Sequence, residues 1–291
     1  MKILKNITVF TLVMLLSVST ILEAREKSVS NFSSSTSNYV DSVGTFDGNK
    51  IYADVANNGL FLDYHVSGDS ALEWPKGTGV HSIFQSALWM GATVNGSIRT
   101  IVGDYTQDMG PGPWGGDPLA AVHRIYKVEK SMLASPLDFA DFQEWPVDFG
   151  APWVDVDGDG VYTPLPGGTD HPEFLGDQVL WFVSNDGDPA YKLNFGTSPL
   201  NVEIQTTMFG FDRPDVFGDM VFLKQLVINY GSDDLVDTYM GLWSDPDLGY
   251  AGDDFVGCDV DLGMGYVWNL SLIHISEPTR PLYISYAVFC L

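Results

Sequence analysis

One acidic loop carries the residues whose types and spacing are best suited to chemistry. Asp155, Asp157 and Asp159 alternate along the chain, and Gly160 follows them directly. Ca²⁺ takes about six to eight oxygen ligands, so several carboxylates on one tight turn suit it. A glycine at the sixth position allows a sharp bend, and the backbone carbonyl of Val161 supplies a further oxygen. The spacing therefore predicts calcium as the cofactor of this loop.

The loop departs from an EF-hand at its second half. Pro166 stands at the twelfth position, where an EF-hand has a bidentate Glu. Pro164, Gly167 and Gly168 also prevent a helix from following. We therefore expect an isolated metal loop that is closed by Asp170. The alternative is an Asp-Gly-rich hairpin turn that binds no metal.

A second acidic cluster lies between Asp245 and Asp261. It holds six carboxylates within seventeen residues, which repel one another unless they are separated, hydrated or bridged by a cation. A second calcium site is one interpretation of this cluster. A solvated acidic loop is the other.

The tryptophans raise the question of glycan binding, because aromatic faces stack on sugar rings. Trp89, Trp181 and Trp243 lie inside strand patterns, which predicts positions in the core. Trp74 and Trp114 lie in loops rich in Pro and Gly. The sequence therefore favours Trp74 and Trp114 as an exposed platform.

No catalytic motif is recognisable in the sequence. It has no HExxH, no GxSxG elbow and no phosphate-binding loop, and Cys258 has no evident partner base. A glycosidase needs two carboxylates that flank one bond, but a chain this acidic always offers such a pair. His171, beside the acidic loop, is expected to be structural. A hydrolase is therefore the weakest of the interpretations.

The N-terminal residues are typical of an export signal. Lys2 and Lys5 precede a short apolar core, and a small-residue cleavage site follows, so 1–24 is predicted to be a signal peptide. Residues 25–45 are expected to form a flexible leader. No later apolar run approaches the roughly 18 residues of a membrane span. The mature protein is thus predicted to be secreted or held at the cell surface.

The C-terminal residues differ in character from the rest of the chain. The stretch from Ser271 to Leu291 resembles a translated sequencing adapter, and 270–291 is therefore predicted to be an artefact. The remaining 46–269 is expected to be one β domain from a longer protein. Without the tail one cysteine remains, Cys258, so no intrachain disulfide is expected.

The charge excludes two classes of partner. The chain has 38 acidic and 14 basic residues, a net charge of −24. Such a chain repels nucleic acid and anionic membranes. Of the acidic residues 30 are Asp and 8 are Glu, which favours loops and oxygen ligands over helix surfaces.

Apolar alternation predicts a mainly β fold. Strands are predicted over 60–66, over 202–208 with Glu203, Gln205 and Thr207 on the face opposite Val202, and over 236–243. Buried or central strands are predicted over 178–183 and 220–229. Asn95-Gly96 between apolar runs predicts a tight hairpin.

Helical signals are almost confined to one segment. Ser135 as cap and Pro136 as the first residue predict a short helix near 136–145, and Phe139, Phe142 and Trp145 would share one face. Many strands, frequent turns and little helix together predict an antiparallel β-sandwich, jelly-roll-like in topology.

Several of these segments carry a resemblance. Phe84 to Arg99, Trp153 to Gly160, Gly176 to Trp181, Val227 to Tyr230 and Tyr239 to Asp245 resemble an N-terminal β-rich module of large secreted proteins of Bacteroidetes-type bacteria. The resemblance implies delivery to the cell surface by type IX secretion. It implies no catalytic residues.

These observations lead to two expectations for function. The first is a non-catalytic, calcium-stabilised module of an exported cell-surface protein, adhesive or structural in role. The second is a carbohydrate-binding module of a secreted degradative enzyme. The partner would then be a surface glycan or another protein.

Overall fold

The computed structural model describes residues 9–12, 43–165, 170–248, 252 and 254–269. As predicted from the sequence, the fold is mainly β and its strands pair in antiparallel fashion. The strands are β1 (Val9–Leu12), β2 (Val43–Phe46), β3 (Tyr52–Ala56), β4 (Leu72–Glu73), β5 (His81–Val94), β6 (Ser97–Val102), β7 (Gly110–Pro111), β8 (Tyr126–Glu129), β9 (Trp153–Val154), β10 (His171–Pro172), β11 (Gln178–Asn185), β12 (Val202–Gly210), β13 (Val221–Asn229), β14 (Val236–Pro246), β15 (Asp254–Asp259) and β16 (Met264–Asn269). The helix α1 spans Ala140–Gln143, and short 3-10 helices span Ala121–His123, Lys130–Ala134, Pro136–Asp138, Val147–Phe149, Pro189–Tyr191 and Val216–Asp219.

Two sheets form the sandwich. The first sheet has the order β1-β13-β12-β11-β7, with β8 also paired to β11, and the second has the order β14-β5-β4-β3-β2, with β6 paired to β5. Phe46 of the second sheet packs with Leu180 and Leu223 of the first. Met90 and Ile204 join the sheets in a second cluster. The apolar faces of the two sheets therefore enclose the core, as in other sandwiches.

The predicted hairpin at Asn95-Gly96 is confirmed. It joins β5 to β6, with φ of 50° at Asn95 and 78° at Gly96. Positive φ at both central residues gives the turn a twist that matches the flanking strands, and Asn-Gly accepts it readily.

A third layer covers the outer face of the first sheet. This cover layer, residues 130–154 and 171–175, packs Phe142 and Trp145 against Trp181 of β11. Glu203 and Thr207, on the outer face of β12, are only 1% and 4% exposed. Strand alternation separates the two faces of a strand but does not show that another segment covers the outer one.

The predicted helix near 136–145 is present but shorter and divided. A 3-10 turn over Pro136–Asp138 precedes α1, and Phe139 between them is extended, with φ −124° and ψ 116°. The Ser135 side chain makes no capping hydrogen bond. Phe142 is buried whereas Phe139 is 38% exposed, so packing of one turn, more than helix propensity, fixes this segment.

The strand predicted over 60–66 does not form. Leu62 makes a single bridge to Ser86, and the chain then turns. The buried Asp63 carboxylate accepts the backbone N–H of His65 at 3.0 Å, which holds the turn. Such local side-chain bonds compete with strand pairing.

The two chain ends are described only in part. Residues 25–42 of the predicted leader and the predicted artefact from 270 lie outside the described residues. β2 begins at Val43, within the range 25–45 of the predicted leader. Within the predicted signal peptide, Val9–Leu12 pairs with β13. None of the helices in the described part is long and apolar enough to span a membrane.

Candidate metal centre

A two-stranded ribbon closes the acidic loop at its base. β9 and β10 pair through Val154 with His171 and through Trp153 with Pro172. The chain thus leaves and re-enters the ribbon at neighbouring points. This pairing places the first and last carboxylates of the loop, Asp155 and Asp170, side by side.

Asp155 organises the first half of the loop. Its Oδ1 accepts the N–H of Gly158 at 2.6 Å, and its Oδ2 accepts the N–H of Gly160 at 3.0 Å. Both glycines have positive φ, 78° and 77°. The tight turn requires this backbone conformation, which L side chains rarely adopt.

Asp157 and Asp159 repeat the same local pattern. Asp157 Oδ1 accepts the N–H of Asp159 at 3.2 Å, and Asp159 Oδ1 accepts the N–H of Val161 at 2.7 Å. Each carboxylate keeps its second oxygen clear of these bonds. The loop therefore holds its carboxylates in place before any ligand arrives.

Asp170 is the buried member of the set, with 1% of its surface exposed. Its Oδ1 accepts the N–H of Val156 at 2.9 Å, and its Oδ2 accepts the N–H of Thr163 at 2.8 Å and the Thr163 hydroxyl at 3.2 Å. These bonds, the Thr163 amide first, hold the pKa of Asp170 below its ordinary value. The side chain is therefore ready to act as an anionic ligand.

The four carboxylates converge on one point. One oxygen from each of Asp155, Asp157, Asp159 and Asp170 lies within 4.8 Å of the others. Oxygens bind Ca²⁺ at about 2.3–2.6 Å, so ligands on opposite sides of the ion lie about 5 Å apart. The cluster therefore has the dimensions to hold one metal ion. Ligation by the Val161 carbonyl stays a prediction.

The loop is tied to the cover layer by a tyrosine that sequence analysis missed. The Tyr162 hydroxyl donates to the Phe142 carbonyl at 2.6 Å, and its ring meets Trp153 edge-on at 5.6 Å. Burial, with the charge of Asp170 nearby, raises the pKa of Tyr162. An aromatic residue three positions after Asp159 was the available signal for this contact.

The second acidic cluster does not converge. Asp245 accepts the Tyr105 hydroxyl at 2.8 Å, whereas Asp254 and Asp259 accept nearby backbone N–H groups. Asp253 lies outside the described residues. Within the described part of the chain, the acidic loop is the one cluster with the spacing of a metal site.

The tryptophans are arranged differently from the prediction. Trp181 is buried and Trp114 is 41% exposed, as expected. Trp74, predicted to be exposed, is 9% exposed and donates its Nε1–H to Asp219 at 3.0 Å. Trp89, predicted to be core, is 37% exposed and stacks on Trp243 at 6.1 Å outside the second sheet.

Comparison with known proteins identifies no relative of this chain. No protein-family model matches the chain, and neither the curated proteins nor the solved structures contain a match. The function must therefore be argued from the chain's own residues.

Proposed function

We propose that the chain is a non-catalytic, calcium-stabilised module of an exported cell-surface protein, adhesive or structural in role. The observation that supports this proposal is the convergence of Asp155, Asp157, Asp159 and Asp170 within 4.8 Å. Carboxylates this close repel one another, and a divalent cation among them reverses the sign of that interaction.

The role of the cation is structural in this proposal. The loop reaches the cover layer through Tyr162 and the carbonyl of Phe142. A cation that orders the loop would therefore also hold the cover layer on the first sheet. A chain with net charge −24, whose Cys258 is free in the described residues, gains stability from such an ion.

Calcium should raise the melting temperature by about 2–4 °C. Binding to the native state alone adds RT ln(1 + [Ca²⁺]/Kd), about 1 kcal/mol at millimolar ion for the Kd typical of extracellular modules. One kcal/mol corresponds to about 2–4 °C in a domain of this size. The measurement is thermal unfolding with calcium and again after EGTA, which should reverse the rise.

Asp157→Ala should abolish most of this calcium response. The apo protein should melt at the same temperature or slightly higher, because one repelling charge is gone. Asp157→Asn keeps the side-chain volume and should also weaken the response. Asp69→Ala, which removes an exposed aspartate far from the loop, is the matched control and should respond like the parent. A full response in Asp157→Ala, or none in the parent, contradicts the proposed site.

Because we propose that the chain is exported, we expect a mature chain that begins near Arg25 and folds without β1. β1 adds only a four-residue edge strand against β13, with Val9 opposite Gln225 and Leu12 opposite Phe222. We expect the exported protein to have the mass of a chain that starts at Arg25. Its melting temperature should lie within about 2–4 °C of the full chain, since an edge strand contributes on the order of 1 kcal/mol. An unprocessed N-terminus, or loss of folding without 1–24, contradicts this proposal.

Carbohydrate binding is the second candidate, favoured by two aromatic pairs at the surface. Trp89 stacks on Trp243 with 6° between the rings, and Trp114 stacks on Tyr230 with 2°. Exposed, pre-oriented indole rings are surfaces on which sugar C–H faces pack. Binding to a glycan array would support this candidate over the adhesive or structural one.

A further inference from the structure

A cleft opens between the Trp114 loop and the segment that follows β11. It has a volume of about 350 Å³. This volume lies within the roughly 300–1,000 Å³ of small-molecule sites. Its walls include Pro111, Trp114, Gly187, Asp188 and Tyr191. It lies at the edge of the first sheet, away from the acidic loop.

Trp114 is held in one orientation in this cleft. Its ring is parallel to that of Tyr230 at 5.4 Å, and its backbone N–H donates to Glu203 Oε2 at 2.9 Å. A Cβ on Gly187 would lie 2.7 Å from Cδ1 of the indole, so the ring is packed closely against this glycine. Tyr230 is not among the residues that line the cleft, so it supports Trp114 from outside. A ring fixed in advance loses little entropy when a ligand binds.

Asn185 keeps the two walls of the cleft together. Its Nδ2 donates to the carbonyls of Gly112 at 2.9 Å and Pro113 at 3.3 Å, and its Oδ1 accepts the N–H of Gly187 at 3.0 Å. The side chain is 8% exposed and is used fully by these bonds. The cleft is therefore preformed and does not depend on a ligand for its shape.

Asp188 supplies the hydrogen-bonding group. Its Oδ1 accepts the N–H of Ala190 at 2.8 Å, which fixes the carboxylate at the rim, while the side chain stays exposed. Oδ2 remains available to accept hydrogen bonds from a ligand. A ligand here should thus offer hydroxyl donors on one edge and an apolar surface for the indole on the other.

We infer that this cleft binds a neutral sugar, with Trp114 stacking on a pyranose ring and Asp188 accepting its hydroxyl groups. The wall residues include no Lys or Arg, so the cleft offers no charge partner for a uronate or phosphate. A cationic ligand is disfavoured because an aromatic cage needs several exposed rings, and Tyr191, the other ring in the wall, is 1% exposed. The inference rests on the carbohydrate-binding candidate and is independent of calcium.

The test is titration of the full chain with neutral hexasaccharides of β-1,4-glucose, β-1,3-glucose, β-1,4-N-acetylglucosamine and α-mannose, followed by calorimetry and tryptophan fluorescence. At least one probe should bind. Trp114→Ala should weaken that binding at least tenfold, as expected for an aromatic anchor. Trp114→Tyr keeps a stacking ring and should retain part of the affinity. Asp188→Asn keeps the Oδ1 cap and should weaken binding without affecting folding.

Tyr239→Ala is the control, since it removes an aromatic ring that is 77% exposed on the opposite sheet, and it should bind the probe like the parent. Trp89→Ala tests the other surface aromatic pair as the binding site. Loss of binding in Trp89→Ala but not in Trp114→Ala would overturn the assignment to this cleft and leave carbohydrate binding standing. Binding of none of the probes would overturn both. Tighter binding of polygalacturonate or choline than of any neutral probe would overturn the proposed ligand class.

Discussion

Lys192→Met should destabilise the protein by about 3–5 kcal/mol, the usual loss when one partner of a buried ion pair is removed. The Lys192 side chain is 2% exposed, and its Nζ lies 3.0 Å from Asp108 Oδ2 and 3.7 Å from Asp186 Oδ2. It also donates to the carbonyl of Thr100. The substitution keeps the length of the side chain and leaves two buried carboxylates without their cation.

The ion cluster joins the two sheets, which is why its loss should matter. Asp108 accepts the N–H of Val102 in β6 at 2.9 Å. Asp186 accepts the N–H of Val202 in β12 at 2.9 Å and that of Leu200 at 2.6 Å. The same charges therefore order one strand of each sheet.

Urea unfolding measures the loss in free energy of unfolding in Lys192→Met, with Lys127→Met as the matched control. Lys127 pairs with Asp47 at the surface, where the two side chains are 28% and 41% exposed. Pairs of this kind contribute about 0–1 kcal/mol. Equal losses for the two substitutions would contradict a stabilising role for the buried cluster.

The loss in free energy of unfolding caused by Lys192→Met should also depend on pH. Burial raises the pKa of Asp186, so the folded state holds its proton more tightly than the unfolded state. Such a group contributes stability at low pH that is lost as pH rises through its folded pKa. Removing the Lys192 charge raises this pKa further. The difference from the parent should therefore be smaller near about pH 5 than near about pH 8, in chelator. A difference that is constant or larger at acid pH would contradict this assignment.

The candidate site was predicted from local patterns. Alternating aspartates and a glycine at the sixth position specify the turn through backbone preferences within a few residues. Asp170 is farther along the chain, yet the structure brings it to the cluster because the β9–β10 ribbon returns the chain. Thr163 and Tyr162 were missed because a residue type can signal a contact but does not show which residue lies opposite.

Long-range contacts explain the wrong predictions. Trp74 reaches Asp219, and Lys192 reaches Asp108, across 145 and 84 residues of sequence. Trp89 pairs with Gly241 in a regular part of β5 and alternates with the buried Leu88 and Met90. It therefore faces outward from a strand whose composition indicates burial. Such features follow from which segments meet, which one stretch of sequence does not encode.

Phe142→Ala should cost about 3–5 kcal/mol, because it removes a ring that the cover layer buries completely. Phe142 is 1% exposed, belongs to the cluster around Trp181, and meets the ring of Phe174 at 6.3 Å. Its backbone carbonyl also accepts the Tyr162 hydroxyl. The substitution should therefore loosen the layer on which the acidic loop rests. The gain in stability on adding calcium should also become smaller, because part of the binding free energy would then be needed to order that layer.

Phe139→Ala is the matched control for this prediction, because it deletes the same ring three residues earlier at a position that is 38% exposed. It should change the free energy of unfolding by no more than about 0.5 kcal/mol and leave the calcium response intact. Denaturation with and without calcium measures both quantities. A loss below about 1 kcal/mol in Phe142→Ala would mean that the layer is not packed on the sheet. A large loss with an unchanged calcium response would mean that the layer is packed but the loop is independent of it.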